Sequence, residues 1–376
     1  MRLRPATPPV GTLRQDVRTF LQSEVDRGGF APTPDSWLGG ADAALSRELG
    51  RRGWLGMSFP AAYGGAEASP LDRFVVTEEL LAAGAPVAMH WVAERQMGPS
   101  ILRWGTDEQK QRYVPPIATG ESCWGIGMSE PDSGSDLASV RTRATRCDGG
   151  WRVNGTKLWT SGAHLAGHLM ALVRTSPLDP AARHAGMSQL IVDLHAPGVS
   201  IRPVVSLDGG HHFNEVVMEE VFVPAEDLLG TEGEGWKQCT SELALERSGP
   251  ERVLSTLPVL RAWAAALRSG ALPTDAHVQQ VLAGLTARLV VLRSLSMSVA
   301  AELAAGRSPE VEAALVKDLG TRFEGEVVDA VRRLVPAGSP LAPMLTSAVL
   351  HVPGFTLRGG TNEVLRGVVA RGLGMR

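Results

Sequence analysis

The sequence has little cysteine, no excess of either charge and no long apolar run, and each shortage removes a class of protein. Its three cysteines, Cys123, Cys147 and Cys239, are too few and too scattered for a disulfide framework or a paired-cysteine zinc site. A reducing, cytoplasmic setting is the expectation. A formal net charge of −3 leaves no basic field to hold nucleic acid or an anionic lipid surface. No stretch approaches ~18 uninterrupted apolar residues, so membrane insertion is not expected. The first residues also lack the apolar core of a secretory signal and read as a frayed terminus.

Common catalytic signatures are missing too. There is no GxGxxG in a strand–helix setting, no GxxxxGK[ST], no HExxH and no GxSxG, and nothing marks a serine nucleophile with its base. His211-His212 is the one tempting metal pair, but adjacent residues on a strand point to opposite faces. They read as turn histidines beside Gly209-Gly210, and no metal site is expected.

What is present fits an ordinary globular chain: 376 residues, 44% apolar and 20% charged, enough for two to three units at ~150 residues each. The first third carries apolar residues at helical spacing over Leu13–Val25, Ala41–Arg52 and Leu71–Ala83, with a shorter helix over Asp107–Tyr113 begun at Thr106. From about residue 121 the pattern changes to short β-like runs punctuated by Asp148-Gly-Gly150 and Asn154-Gly155, the latter predicting a hairpin between Trp151–Val153 and Lys157–Trp159. Further strands are expected at 140–146, 169–175, 189–194, 201–205 and 216–223. Beyond Gly235 helical periodicity returns over 236–247, 251–269, 276–305 and 309–334, and a last helix starts at Thr361. The expected fold class is α+β. An N-terminal helical domain (1–120) precedes a central antiparallel β-domain, barrel or sandwich (121–231), and a C-terminal four-helix bundle (232–376).

Three segments are stranger than a core requires. Met128-Ser-Glu-Pro-Asp-Ser-Gly-Ser-Asp136 offers hydroxyls and backbone N–H groups suited to a phosphate or a polar ring edge. In Lys157-Leu-Trp-Thr-Ser-Gly162, Trp159 and Ser161 lie two apart and share one strand face, where they could cover a flat aromatic ligand. Leu357-Arg-Gly-Gly-Thr-Asn-Glu-Val364 opens a helix with bare N–H groups facing an anion or polar cofactor. A plain loop, a core tryptophan and a tight turn are the respective alternatives.

Taken in this order along a helical–β–helical chain, the segments resemble the acyl-CoA dehydrogenases. Gly53-Trp-Leu-Gly-Met-Ser-Phe-Pro-Ala-Ala-Tyr-Gly-Gly65 looks like that family's N-terminal signature, and Gly105-Thr-Asp-Glu-Gln-Lys110 with Gly120-Glu121 like the stretch before its β-domain. Ser129-Glu-Pro-Asp-Ser-Gly-Ser-Asp136 is similar to its flavin-binding TEPxxGSD. Asn154-Gly-Thr-Lys-Leu-Trp-Thr-Ser161, Phe213-Asn-Glu-Val216 and Gly360-Thr-Asn-Glu363 match further stretches.

The resemblance implies FAD as cofactor and α,β-dehydrogenation of an acyl thioester, by α-proton abstraction and hydride transfer to flavin N5. The thioester would be of coenzyme A or an acyl carrier protein. It places Met128 and Ser129 at the pyrimidine edge, and Ser135 near both the FAD phosphates and the substrate. Trp159 and Thr160 would lie against the ring with Ser161 at N5, and Thr361, Asn362 and Glu363 would approach from the far side. Gly359, Gly360 and Arg247 would border the substrate.

In many members the base directly precedes the C-terminal Gly-Thr, but here that residue is Gly359. A second arrangement, in isovaleryl- and long-chain-type enzymes, takes a glutamate before an arginine on the helix after the β-domain, matched here by Glu246-Arg247. At ~100° per residue from Trp236, Cys239 falls at ~300°, Leu243 at ~340° and Glu246 at ~280°. This borders the apolar stripe, where desolvation could raise a carboxylate's pKa. Glu246 is the expected base.

The RxxFG and QxxGGxG segments that reach FAD across a symmetric interface are absent. Leu272–Val278 and Leu334–Pro340 stand in their places. This resembles subunits of heteromeric members, while a homo-oligomer stays open. Electron-transferring flavoprotein is the implied acceptor. A flavin monooxygenase or oxidase on the same fold, and a catalytically silent partner subunit, are the alternatives.

Overall fold

The computed structural model describes residue 6, residues 11–246 and residues 249–375, excepting the side chains of 242–246. Among the described residues seven α-helices come first: α1 (Leu13–Asp26), α2 (Ser36–Gly39), α3 (Ala43–Arg51), α4 (Pro70–Ala82), α5 (Ala88–Val92), α6 (Gly98–Trp104) and α7 (Asp107–Ala118). Eight strands follow: β1 (Trp124–Gly127), β2 (Arg143–Cys147), β3 (Gly150–Ser161), β4 (His168–Arg174), β5 (Met187–Asp193), β6 (Val199–Val204), β7 (Phe213–Pro224) and β8 (Leu228–Leu229). The chain ends in α8 (Gly235–Glu246), α9 (Leu257–Arg268), α10 (Ala276–Ala304), α11 (Glu310–Leu334), α12 (Ala342–Phe355) and α13 (Asn362–Gly372). The fold is α+β, with helical ends around a central sheet.

Local chemistry sets several boundaries. Thr106 Oγ1 accepts from the Gln109 N–H while the Gln109 side chain returns to the Thr106 N–H, a reciprocal cap that starts α7 where the sequence predicts. The helix outruns the expected stop at 113 and carries Pro115 and Pro116 to Ala118. Among the described residues four helices were not foreseen: α2, α5 and α6, the last two joined by a π-helical turn at Ala93–Met97, and α12. The run expected to begin at 251 is a single 3-10 turn, Pro250–Arg252, followed by α9.

The chain divides into two compact units. One comprises Ala41–Ala68 and Val87–Leu245, the other Met1–Gly40, Ser69–Pro86 and Glu246–Arg376. In the first, the strands form one sheet in the order β6-β7-β3-β2-β4-β5-β8, with β1 beside β4. Pairing is antiparallel except at β1/β4 and β2/β4, which are parallel. Trp151, Val153, Leu169, Val173, Leu190, Val192, Val216 and Val223 fill one side. Met97, Ile101, Val114 and Ile117 of the helices meet Trp124, Met170 and Ile191 on the other. Covered on both faces, β4 is buried along nearly its whole length, which explains its continuous apolar sequence.

The expected Asn154-Gly155 hairpin is not formed. Residues 150–161 are one strand, and the register shifts between Val153 and Gly155, a bulge instead of a turn. Gly155 has φ 151°, and a Cβ there would lie 2.4 Å from Thr142 Oγ1. Asn154 turns outward and donates to Glu220 Oε1 at 2.6 Å. The true β2–β3 hairpin turns at Asp148-Gly149, with Gly149 at φ 73°.

In the second unit α11 packs against α9, α10, α12 and α13, and α4 against α1 and α10. By length and composition α10 would suffice to cross a membrane. Here it is a bundle helix whose Arg293 pairs with Glu78 of α4 and whose Arg288 pairs with Glu326 of α11.

Candidate functional site

Two groups of residues come together, one in each unit. In the sheet unit the loop after β1 is tied to β3. Leu158 N–H donates to Ser129 O at 2.9 Å. The wholly buried Lys157 sends its ammonium to Met128 O (3.2 Å) and Glu130 Oε1 (2.8 Å). Glu130 accepts two further bonds, from Arg141 N–H (2.6 Å) and Thr142 N–H (2.9 Å). Burial alone would raise the Glu130 carboxyl, but the Lys157 charge and these donors hold it below its usual value. Desolvation in turn draws Lys157 below the ordinary lysine range.

That pair fixes the loop that carries the predicted residues. Met128 is half-buried against Val140, Leu172, Met187 and Cys239, Ser129 is half-buried, and Ser135 is exposed.

Alternation along β3 turns Trp151, Val153 and Lys157 inward, and continuing it would bury Trp159 as well. A second register shift, between Lys157 and Thr160, prevents this. Trp159 takes a left-handed backbone, φ 62°, and its indole stands 55% exposed, T-shaped to Phe213 with ring centroids 5.7 Å apart. A bulky residue held at positive φ stores strain. Thr160 falls inside, fully buried, its hydroxyl without a partner among the described residues, and Ser161 returns to the open side. The bulge is braced through Asn214, whose Nδ2 donates to Thr160 O (3.0 Å) and whose Oδ1 lies 2.7 Å from His211 Nε2. His211 and His212 lie in the loop directly before β7, the latter 2.9 Å from Asp208 Oδ2.

In the bundle unit the segment between α12 and α13 forms a tight turn. Gly359 and Gly360 are both left-handed, φ 71° and 87°, which glycine adopts without steric cost. Thr361 caps α13 by accepting from Val364 N–H, and Glu363 is exposed. Asn362 points inward, its Oδ1 bonded to Lys317 Nζ (2.7 Å) and Thr321 Oγ1 (3.2 Å). Glu246 closes α8, and Arg247 lies outside the described residues.

Three family profiles match in chain order: Acyl-CoA dehydrogenase, N-terminal domain over residues 10–121, middle domain over 125–221, and C-terminal domain over 233–374. Acyl-CoA dehydrogenase FadE29 of Mycobacterium tuberculosis is 32% identical over 97% of this chain and 96% of its own. The chain belongs to the acyl-CoA dehydrogenase family. It resembles the solved Tcur3481-Tcur3483 steroid ACAD at 30% identity over all of both chains, TM-score 0.85. The ChsE4-ChsE5 complex from Mycobacterium tuberculosis is similar at 30% identity and TM-score 0.80, again over all of both chains.

As an acyl-CoA dehydrogenase the protein is an FAD flavoprotein oxidoreductase acting on CH–CH groups. The residues present fit that cofactor, because an exposed indole on a strained, braced bulge is a ready platform for a flat ring. Lys157 was missed by sequence reasoning, though its inward phase with Trp151 and Val153 was readable. Lys317 was missed because nothing local marks a lysine on a helix as buried.

Proposed function

We propose that this acyl-CoA dehydrogenase desaturates the α,β bond of a coenzyme A thioester bearing a bulky, ring-containing acyl group, as one subunit of a two-chain assembly. The observation that carries the reading is Trp159, forced out of the sheet by a left-handed bulge and left open beside Ser161. FAD, when bound, supplies the acceptor for the electron pair and the β-hydrogen.

The chain's own residues do the rest. Met128, Ser129, Ser135, Trp159, Ser161, Thr361 and Glu363 would hold the cofactor directly. Thr160 and Asn362, whose side chains are buried, would contribute through the main chain. Glu246 is the base that takes the α-proton, with Arg247 beside it in sequence and no carboxylate available at 359. Gly359 and Gly360 carry no side chain, which suits a large acyl group. That size, and the two-chain assembly, are supported by similarity to the steroid ACAD and to ChsE4-ChsE5. Electron-transferring flavoprotein is the proposed acceptor.

Anaerobic titration with a panel of acyl-CoAs, on the chain alone and co-expressed with a sister chain, tests the reading. The yellow band of the oxidised flavin should bleach with ring-bearing thioesters. Glu246→Gln should keep that band and lose ~100-fold or more in turnover. A colourless protein that refuses added flavin in both preparations overturns the reading, and a Glu246→Gln variant above a tenth of wild-type activity, on the order expected for a dispensable group, removes Glu246 from the role.

A further inference from the structure

The turn of residues 356–362 is fastened from beneath by one buried side chain. Lys317, on α11, has no exposed surface. Its ammonium donates to Thr356 O (3.1 Å) at the end of α12, to Gly360 O (2.8 Å), and to Asn362 Oδ1 (2.7 Å) at the start of α13. An ammonium has three N–H donors, and three acceptors of this one turn lie within bonding distance of it. Thr356 O also receives the Asn362 N–H at 3.1 Å, so the turn's two ends close on one carbonyl. Thr321, one helical turn further along α11, adds a bond to the same Asn362 Oδ1.

Between those ends lie Gly359 and Gly360, both left-handed. Two glycines in succession lose more conformational freedom on ordering than any other pair. Nothing in their own side chains could hold the main chain still, so its rigidity must come from outside. We infer that Lys317 is a positioning residue for the reaction: it pins the Gly359–Gly360–Thr361 main chain, and so fixes the segment the proposed function assigns to thioester and cofactor. The inference rests on that reading for its catalytic consequence. The pinning itself does not depend on it.

The test compares wild type with Lys317→Met, which keeps the chain length and removes the donors, and with Asn362→Leu, which removes one acceptor and keeps the lysine. The second variant keeps the test open should the first fail to fold. Hydrogen exchange of the FAD-loaded protein is read at the amides of 357–361, and the limiting rate of flavin bleaching by acyl-CoA is read separately from the acyl-CoA concentration at half-saturation. Lys317→Met should exchange at these amides at least ~10-fold faster. It should bleach about 10-fold more slowly, as expected when a group is displaced from productive geometry, with flavin content unchanged. Asn362→Leu should shift both readouts in the same direction by less. Exchange and bleaching within twofold of wild type in both variants overturn the inference. If wild type holds FAD but no thioester bleaches it, the dehydrogenase reading falls, and the exchange data alone decide whether Lys317 pins the turn.

Discussion

Arg358 and Asp35 meet in a two-pronged ion pair, with Nη1–Oδ2 and Nη2–Oδ1 both 2.6 Å, and Asp35 is 1% exposed. The guanidinium also lies 4.3 Å over the Trp37 ring and 5.2 Å from that of Phe355. Since Arg358 directly precedes Gly359, the pair grips the same turn that Lys317 holds by its carbonyls. Burial alone would raise the Asp35 carboxyl, but the Arg358 charge and the His351 bond, 3.0 Å, hold it below its ordinary value.

Removing one member of a buried pair strands the other. Asp35→Asn should therefore destabilise the protein by about 3–5 kcal/mol in denaturant melts. Because the folded pKa is depressed, the pair's stabilisation is full above the unfolded carboxylate range and is lost as pH falls through the folded value. The variant should accordingly lose stability less steeply than the wild type as pH falls.

Glu324, fully buried on α11, titrates in the opposite sense. Burial drives its carboxyl up to about 7, against the pull of Arg358 and a 2.8 Å bond from Ser255 N–H. The folded state keeps this proton longer than the unfolded chain does. Stability is therefore full at low pH and falls as pH rises from the ordinary glutamate range to about 7, by roughly 3 kcal/mol. Glu324→Gln still accepts from Ser255 and should flatten that slope. Melting temperatures at pH 5 and pH 8 check this, and a variant no more stable than wild type at pH 8 contradicts it.

Lys157→Met tests the tie beneath the Met128–Ser129 loop. It leaves Glu130 buried with its charge uncompensated, so a stability loss of about 3–5 kcal/mol is expected. FAD should be retained poorly. Absorbance of the bound flavin per chain after gel filtration, compared at equal folded fraction, measures the second effect.

Trp159→Gly separates strain from binding. Glycine accepts the left-handed backbone freely, so apo-protein stability should hold or rise by about 1 kcal/mol. Flavin affinity should fall severalfold as aromatic stacking worth ~0.5–1.5 kcal/mol is lost. Fluorescence titration of apo-protein with FAD reads the affinity, and thermal melting reads the stability. A variant that melts lower and binds as tightly contradicts both expectations.

Periodicity and capping residues made most of the fold legible. α10 and α11 each come within a residue or so of their expected ends, because long apolar stripes and helix formers act locally. The Asn154-Gly155 reading failed because the signal for a hairpin is also a signal for a bulge, and the choice depends on Thr142, just before β2, crowding that glycine. At the site, Trp159 and Ser161 were placed on one face by simple alternation, although alternation alone would have turned both inward. The bulge that brings them out is a tertiary feature. Lys317 and Asp35 act across more than 40 and more than 300 positions of sequence respectively, distances at which no local pattern carries information.

The backbone angle of Gly359 reaches beyond the turn itself. A glutamate placed there would have to sit at φ 71°, a region that disfavours any side chain with a Cβ by about 1–2 kcal/mol. A single codon change would not simply supply a base. The loop would first have to be rewound, so main-chain shape as well as residue identity disfavours a carboxylate at position 359.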